Sequence, residues 1–77
     1  MSCFKVSLTS VDEVKQFVNA ATNCPCEVDV RSGRYLVNGK SILGLFSLDL
    51  SQPAEVEIQG TPEQEEAFRQ TVASLVC

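Results

Sequence analysis

Two periodicities take turns along this 77-residue chain, and that alternation limits the folds open to it. Phe4, Val6 and Leu8 alternate with Lys5 and Ser7, Val28 and Val30 with Glu27, Asp29 and Arg31, and Val56 and Ile58 with Glu55 and Glu57. Period-two alternation is the mark of a strand with one buried and one wet face. Between these runs, Val11, Val14, Phe17, Val18 and Ala21 recur at helical spacing, as do Ala67, Phe68, Thr71, Val72, Leu75 and Val76. A strip of this kind buries one side of a helix.

Taken in order, the first strand runs from Cys3 to Leu8 and is broken by Thr9-Ser10. Ser10 followed by Glu13 fits a capping box, in which each side chain takes a free amide at the helix start. A helix is expected from about Val11 to Asn23, with Asp12 and Glu13 at the positive end of its dipole. Glu27 to Arg31 and Tyr35 to Val37 read as a hairpin about the turn Ser32-Gly33-Arg34. Ser41 then caps a short helix expected to end near Asp49-Leu50. Ile42, Leu45 and Leu48 form one face of it, and Leu43 and Phe46 a second face that is either covered or offered to a partner. Ala54 to Gln59 is the last strand, and Pro53 sits just outside it. Thr61-Pro62-Glu63-Gln64 opens a final helix reaching almost to Cys77, its acidic run Glu63 to Glu66 a solvated face.

The order is therefore strand, helix, strand, strand, short helix, strand, helix (βαββαβα). Four strands with polar residues on one side and two longer helices on the other make an α+β open-faced sandwich. Residues 1–77 are expected to form one domain, at a size where roughly 60% of the unfolded chain's surface is buried. No repeat, linker or low-complexity tract interrupts it.

Charge and composition narrow the function. A net charge of −4 argues against nucleic acid or an anionic membrane as partner. No run is long enough to span a bilayer, and the first residues lack a secretory pattern, so the expected setting is cytoplasmic. There is no histidine to complete a zinc site around Cys3, Cys24, Cys26 and Cys77. Cys24-Pro25-Cys26 is the close pair. A soft-metal or redox role is open to it; the simpler reading is that Cys24 ends a helix, Pro25 stops it and Cys26 enters the strand as a small hydrophobe. The expectation is thiols, no metal and no cofactor.

Val37-Asn38-Gly39-Lys40-Ser41-Ile42-Leu43-Gly44-Leu45-Phe46-Ser47-Leu48, followed by Ala54-Glu55-Val56-Glu57-Ile58, resembles the second half of HPr, the histidine-containing phosphocarrier of the bacterial sugar phosphotransferase system. In that family a Lys-Ser-Ile-x-Gly-x-x-Ser-Leu run forms a short helix followed by a strand and a closing helix. Phe4-Lys5-Val6 agrees with the family's first strand. The resemblance implies a four-stranded antiparallel sheet in the order 1-4-2-3. It covers residues 37 to 76 most specifically. At Asp49, where a glycine is usual, it departs from the pattern.

The resemblance also shows what is missing. In HPr the phosphoryl group sits on a histidine at the start of the first helix, beside an arginine. Here Leu8-Thr9-Ser10-Val11-Asp12-Glu13 occupies that segment, about three residues shorter, with two carboxylates and no imidazole. A phosphoserine at Ser10 would be a stable ester, and Asp12 and Glu13 would repel a phosphoryl donor, so Ser10 reads as a cap. The chain is expected not to serve as a histidine phosphocarrier, and no nucleophile–base pair or phosphate loop marks it as an enzyme.

The second HPr site survives. In Gram-positive relatives a kinase phosphorylates the serine corresponding to Ser41, and the product regulates carbon-catabolite genes. A phosphate there would meet free amides at a helix start, beside Lys40; the plain alternative is that Ser41 is a cap and nothing more. Ile42, Leu43 and Phe46 correspond to the family's partner-docking surface. The expected function is an HPr-like regulatory or protein-interaction module switched at Ser41, its partners an HPr kinase, a transcriptional regulator or phosphotransferase-system proteins. The alternative is a degenerate HPr-fold module for an unrelated partner or for self-association. A monomer or weak dimer is expected.

Overall fold

The computed structural model describes residues 2–76. The elements are β1 (Ser2–Val6), α1 (Val11–Asn23), β2 (Glu27–Ser32), β3 (Tyr35–Asn38), α2 (Ile42–Phe46), β4 (Ala54–Gln59) and α3 (Pro62–Thr71), with a 3-10 turn at Ala73–Leu75. The strands form one antiparallel sheet in the order β1-β4-β2-β3, as the family resemblance implied. Its register sets Val28 against Ile58 and Val30 against Val56, so the inward side chains of the two central strands meet on one face. On the other face Lys5 pairs with Glu55 and Glu55 with Arg31, a row of alternating charge favourable between neighbouring strands.

Both longer helices lie on the apolar face. Val14, Phe17 and Ala21 of α1 and Phe68 of α3 are buried over Val6, Val28, Val30, Val56 and Ile58. Phe17 and Phe68 meet edge to face with ring centroids 5.6 Å apart. Phe4 joins them from β1, 6.4 Å from the Phe68 ring, with the Arg69 guanidinium 5.9 Å from its own ring centre. Tilted and edge-on aromatic pairs contribute about 0.5–1.5 kcal/mol beyond the area they bury. No buried side-chain polar atom among the described residues lacks a partner.

Local chemistry sets the boundaries. Helix α1 spans the residues its periodicity predicts, and Cys24 closes it in extended backbone, its N–H bonded to the Ala21 carbonyl. Its start differs in one detail. The Ser10 hydroxyl accepts from the Glu13 N–H at 3.2 Å, but the Glu13 carboxylate turns to Thr9, taking the N–H at 2.8 Å and the hydroxyl at 2.7 Å. The predicted reciprocal bond to Ser10 is thus displaced by one residue, because Thr9 offers two donors and Ser10's amide only one. By contrast, Thr61 and Gln64 form the full capping box on α3. Gly33, at φ +60°, takes the first corner of a two-residue β2–β3 turn, a conformation glycine adopts without a side-chain clash.

Four expectations are corrected. Strand β1 ends at Val6 rather than Leu8, because the Ser7 N–H bonds to the Leu75 carbonyl instead of a strand; Leu8 is buried all the same. Helix α2 ends at Phe46 rather than near Leu50. The Ser47 hydroxyl bonds to the Gly44 carbonyl at 2.6 Å, and the Asp49 carboxylate holds the Ser51 amide at 3.1 Å, local bonds that compete with helix continuation. Helix α3 ends at Thr71, whose hydroxyl bonds back to the Ala67 carbonyl at 2.9 Å. The chain then tightens into the 3-10 turn, which keeps Val72 and Leu75 buried, and Val76 bridges to Val6. Ala67 and Thr71, expected on the apolar face, are exposed. Cys77 lies outside the described residues. Asp49 has no left-handed strain, since no residue but glycine has positive φ among those described.

Truncating Phe17 to alanine is expected to cost about 3–5 kcal/mol. Stability of order 0.05–0.15 kcal/mol per residue gives a domain of 77 residues about 4–12 kcal/mol, so urea titration should show the variant's unfolding midpoint lowered by at least a quarter of the parent's value. Glu13 provides a pH test. Hydrogen bonds from the Thr9 hydroxyl and amide hold its carboxyl below the ordinary 4.5. The folded form thus favours the ionised group: its contribution is complete above pH 4.5 and disappears as pH falls through the lower folded value. The stability difference between the protein and Glu13→Gln should therefore be largest near neutrality and close below pH 4.5.

Candidate functional site

The start of α1 and the short helix α2 are brought side by side. Helix α2 packs on both α1 and β3. Its approach depends on Gly39, whose N–H bonds to the Val28 carbonyl at 2.7 Å and where a Cβ would come within 2.7 Å of the Val28 side chain. Asn38 then arranges the entry. Its side-chain oxygen accepts from the Lys40 N–H at 2.8 Å, and its carbonyl from the Ser41 N–H at 3.0 Å.

Ser41 is exposed and caps α2, its hydroxyl accepting from the Gly44 N–H at 3.1 Å. Lys40 beside it is exposed. The two faces expected of the short helix separate cleanly. Leu45 and Leu48 are buried and Ile42 is half-buried against the core, whereas Leu43 is 80% and Phe46 44% exposed. Of the four residues read as partner-binding, Lys40, Leu43 and Phe46 are thus at the surface and Ile42 is partly core.

A shallow groove of about 390 Å³ lies between the two elements, with Leu8, Thr9, Ser10, Val11 and Val14 on one wall and Phe46, Leu50 and Ser51 on the other. Two of its apolar residues escaped the sequence reading. Val11 shares the helical spacing of the core side of α1, yet is 54% exposed, because the first turn of that helix overhangs the core edge next to α2. Leu50, read as the end of a helix, is a half-buried wall of the groove. No spacing rule marks either, since only the docking of α2 brings them together.

The chemistry at the groove's rim is that of a closed cap. The Glu13 amide is taken by the Ser10 hydroxyl and the Thr9 amide by the Glu13 carboxylate. One helix-start donor, the Glu13 amide, is thus taken by the chain itself, and a carboxylate is already in place beside it.

Cys24 and Cys26 lie away from this groove, at the far end of α1, and both are buried; Cys3 is exposed, and all three are free thiols. The Cys26 thiol donates to Gln64 Oε1 at 3.4 Å. Burial pushes it above its ordinary value, with the neighbouring Cys24 thiol adding to the shift. Burial suits the small-hydrophobe reading of the pair. No group of three or more metal-ligating side chains converges among the described residues, and no helix there is long and apolar enough to cross a membrane.

Comparison with known proteins agrees with this frame. The structure superposes on HPr-C-His from Thermoanaerobacter tengcongensis with a TM-score of 0.77 at 23% identity, covering 96% of this chain and 93% of that one. It also superposes on the phosphocarrier protein HPr from Bacillus anthracis, with a TM-score of 0.72 at 23% identity and the same coverages. At such identities the likeness is one of fold. No curated protein matches in sequence. The family model described as the PTS HPr component phosphorylation site matches residues 13–77, beginning after the Thr9–Asp12 segment. Since that match spans most of the chain, the protein belongs to the HPr family of the phosphotransferase system.

Proposed function

We propose that this protein is a regulatory and protein-interaction module built on the HPr frame, and neither a histidine phosphocarrier nor an enzyme. The carrying observation is chemical: none of the 77 residues is a histidine. Reversible phosphoryl transfer of the HPr kind needs an imidazole nitrogen as nucleophile. The hydroxyls that remain at the start of α1 would give stable esters, and Glu13 sits where an incoming phosphate would need positive charge. The setting we assign is the cytoplasm, where the family's partners reside.

The docking surface is the exposed side of α2 with the first turn of α1: Lys40, Leu43 and Phe46, backed by Ile42 and continued by Val11 across the groove. A partner covering an apolar side chain there gains about 1.5–3 kcal/mol for each one fully buried. Ser41 at the edge of this surface is the switch. A phosphate adds a charge of about −1.5 to −2 and three acceptors, facing the Gly44 amide that the cap already brings close, with Lys40 the neighbouring residue in the chain. The partners we assign are an HPr kinase acting on Ser41 and a transcriptional regulator or phosphotransferase-system protein that reads the result.

A second reading draws support from β3. Tyr35 is 67% and Leu36 57% exposed on an edge strand, the one that leads into α2. An apolar sheet edge favours self-association, so a degenerate HPr-fold module serving an unrelated partner or its own copy is the alternative. Sedimentation with Leu36→Lys distinguishes the two, since a dimer abolished by that change favours the alternative.

Incubation with an HPr kinase and ATP is expected to label Ser41, and Ser41→Ala to abolish the label. No incorporation under conditions that label an authentic HPr would remove Ser41 from the proposal. Phosphoenolpyruvate with enzyme I is expected to give no acid-labile phosphate, whose appearance would overturn the reading of the α1 start. Phe46→Asp should remain folded, with a loss of no more than about 1.5 kcal/mol, yet weaken binding to the kinase. Leu45→Asp, one position earlier and buried, should unfold the domain.

A further inference from the structure

The two edges of the sheet are finished differently. On β1 a lysine, Lys5, stands within the strand, and the C-terminal segment closes its end: the Ser7 N–H bonds to the Leu75 carbonyl at 2.8 Å and Val76 bridges to Val6. Charges and covering segments of this kind keep an edge from pairing with another strand. Among the described residues β3 has neither. Tyr35-Leu36-Val37-Asn38 carries no charge and no proline, and its register with β2 runs without a bulge. Tyr35 and Leu36 are both mostly exposed.

The backbone of β3 also has a defined outward set. In an antiparallel pair, residues bonded to the neighbouring strand alternate with residues whose N–H and C=O point away from it. The Gly39 N–H bonds to the Val28 carbonyl at 2.7 Å, which places the odd-numbered residues of β3 on the bonded side. Leu36 therefore turns its N–H and C=O to the open edge.

We propose that β3 pairs antiparallel with β3 of a second copy of this chain, about a two-fold axis through Leu36. This gives the self-association of the second reading its interface, and rests on that reading. Leu36 faces Leu36 of the copy, and the two exchange a pair of N–H to C=O bonds. On the helix-covered face Tyr35 faces Val37 of the copy, an aromatic–β-branched pair of the kind neighbouring strands favour. A register one residue off mismatches the faces of the two sheets. A register two residues off opposes Leu36 to Asn38 or to Arg34, so apolar matching selects Leu36 as the centre.

Charge also points to a second copy. On the uncovered face Cys3, Glu57, Asp29 and Asn38 stand in one row, with Asp29 directly opposite Glu57. Like charges so placed disfavour each other, and no cation stands in that row. In the Leu36-centred register Arg34 of the copy extends the row at Asn38, next to Asp29, and symmetry repeats the contact. The hairpin that offers Leu36 thus offers, two residues earlier, the cation that its partner's row lacks.

The test is site-directed cross-linking of the full-length protein in a Cys3→Ser, Cys77→Ser background, whose remaining thiols, Cys24 and Cys26, are buried. Opposed residues of a hydrogen-bonded antiparallel pair have Cα atoms about 5.5 Å apart, inside the disulfide range of about 4.4–6.8 Å. Leu36→Cys is expected to give a disulfide-linked dimer on mild oxidation. Asn38→Cys is not, because the two copies of that residue lie four positions out of register, roughly 13 Å along the strand. Sedimentation equilibrium of the unsubstituted chain should show a weak, concentration-dependent dimer. Its dissociation constant should rise roughly fivefold with Arg34→Glu, and adding Asp29→Lys should recover most of the loss. Arg34, Leu36 and Asn38 are exposed, so these single changes leave the monomer folded. A dimer in which Leu36→Cys cross-links no faster than Asn38→Cys overturns this interface and leaves self-association standing. An affinity unmoved by Arg34→Glu overturns the register. A monomer at every concentration up to the millimolar range overturns the interface and the self-association together.

Discussion

The edge-to-face contact of Phe17 with Phe68 holds the layers together, because it is where the two long helices meet above the sheet. Each helix is amphipathic and neither is stable alone at this length; both acquire their stability by covering the strands. Phe4 extends the contact to the edge strand β1, and Arg69 lies against the outer side of that ring. A domain this small has little stability in reserve. Its sheet therefore tolerates a charged, uncovered back only because the front is sealed around these rings.

The candidate surface depends on that seal. Leu45 and Leu48 are anchored in the same core, and their burial turns Leu43 and Phe46 outward. The start of α1 reaches the surface beside them, its Glu13 amide capped by the Ser10 hydroxyl and its Glu13 carboxylate held by Thr9. A frame that holds a phosphate-bearing side chain elsewhere in its family thus presents here an apolar groove with a carboxylate at its rim. The interaction reading rests on this physical difference. A contact surface needs exposed apolar area and a rigid backing, and both remain when the nucleophile is absent.

Much of the fold was legible because local signals agreed with one another. The period and end signals of α1 yielded its bounds from Val11 to Asn23, and the Thr61-Pro62-Gln64 start of α3 is a complete cap. Errors arose where short-range hydrogen bonds compete with the apolar pattern. Ser47, Asp49 and Thr71 each bond to nearby backbone and end a helix whose hydrophobic spacing continues. Glu13 chose Thr9 over Ser10 for a similar reason: a hydroxyl and an amide together outweigh one amide. Of the site, Ser41 and the outward pair Leu43 and Phe46 were readable from spacing. Val11 was not, since its spacing matches that of Val14 and only its height along α1 sets it apart.

From the sequence alone came the number and kind of elements, the faces they would bury, and the lack of an imidazole, since composition and periodicity are properties of the chain itself. Tertiary packing decided which apolar residues stay at the surface, that α2 and the start of α1 share a groove, and that Cys24 and Cys26 are both enclosed. Exposure depends on what neighbouring elements cover, and no residue spacing encodes the position of a neighbour distant in the chain.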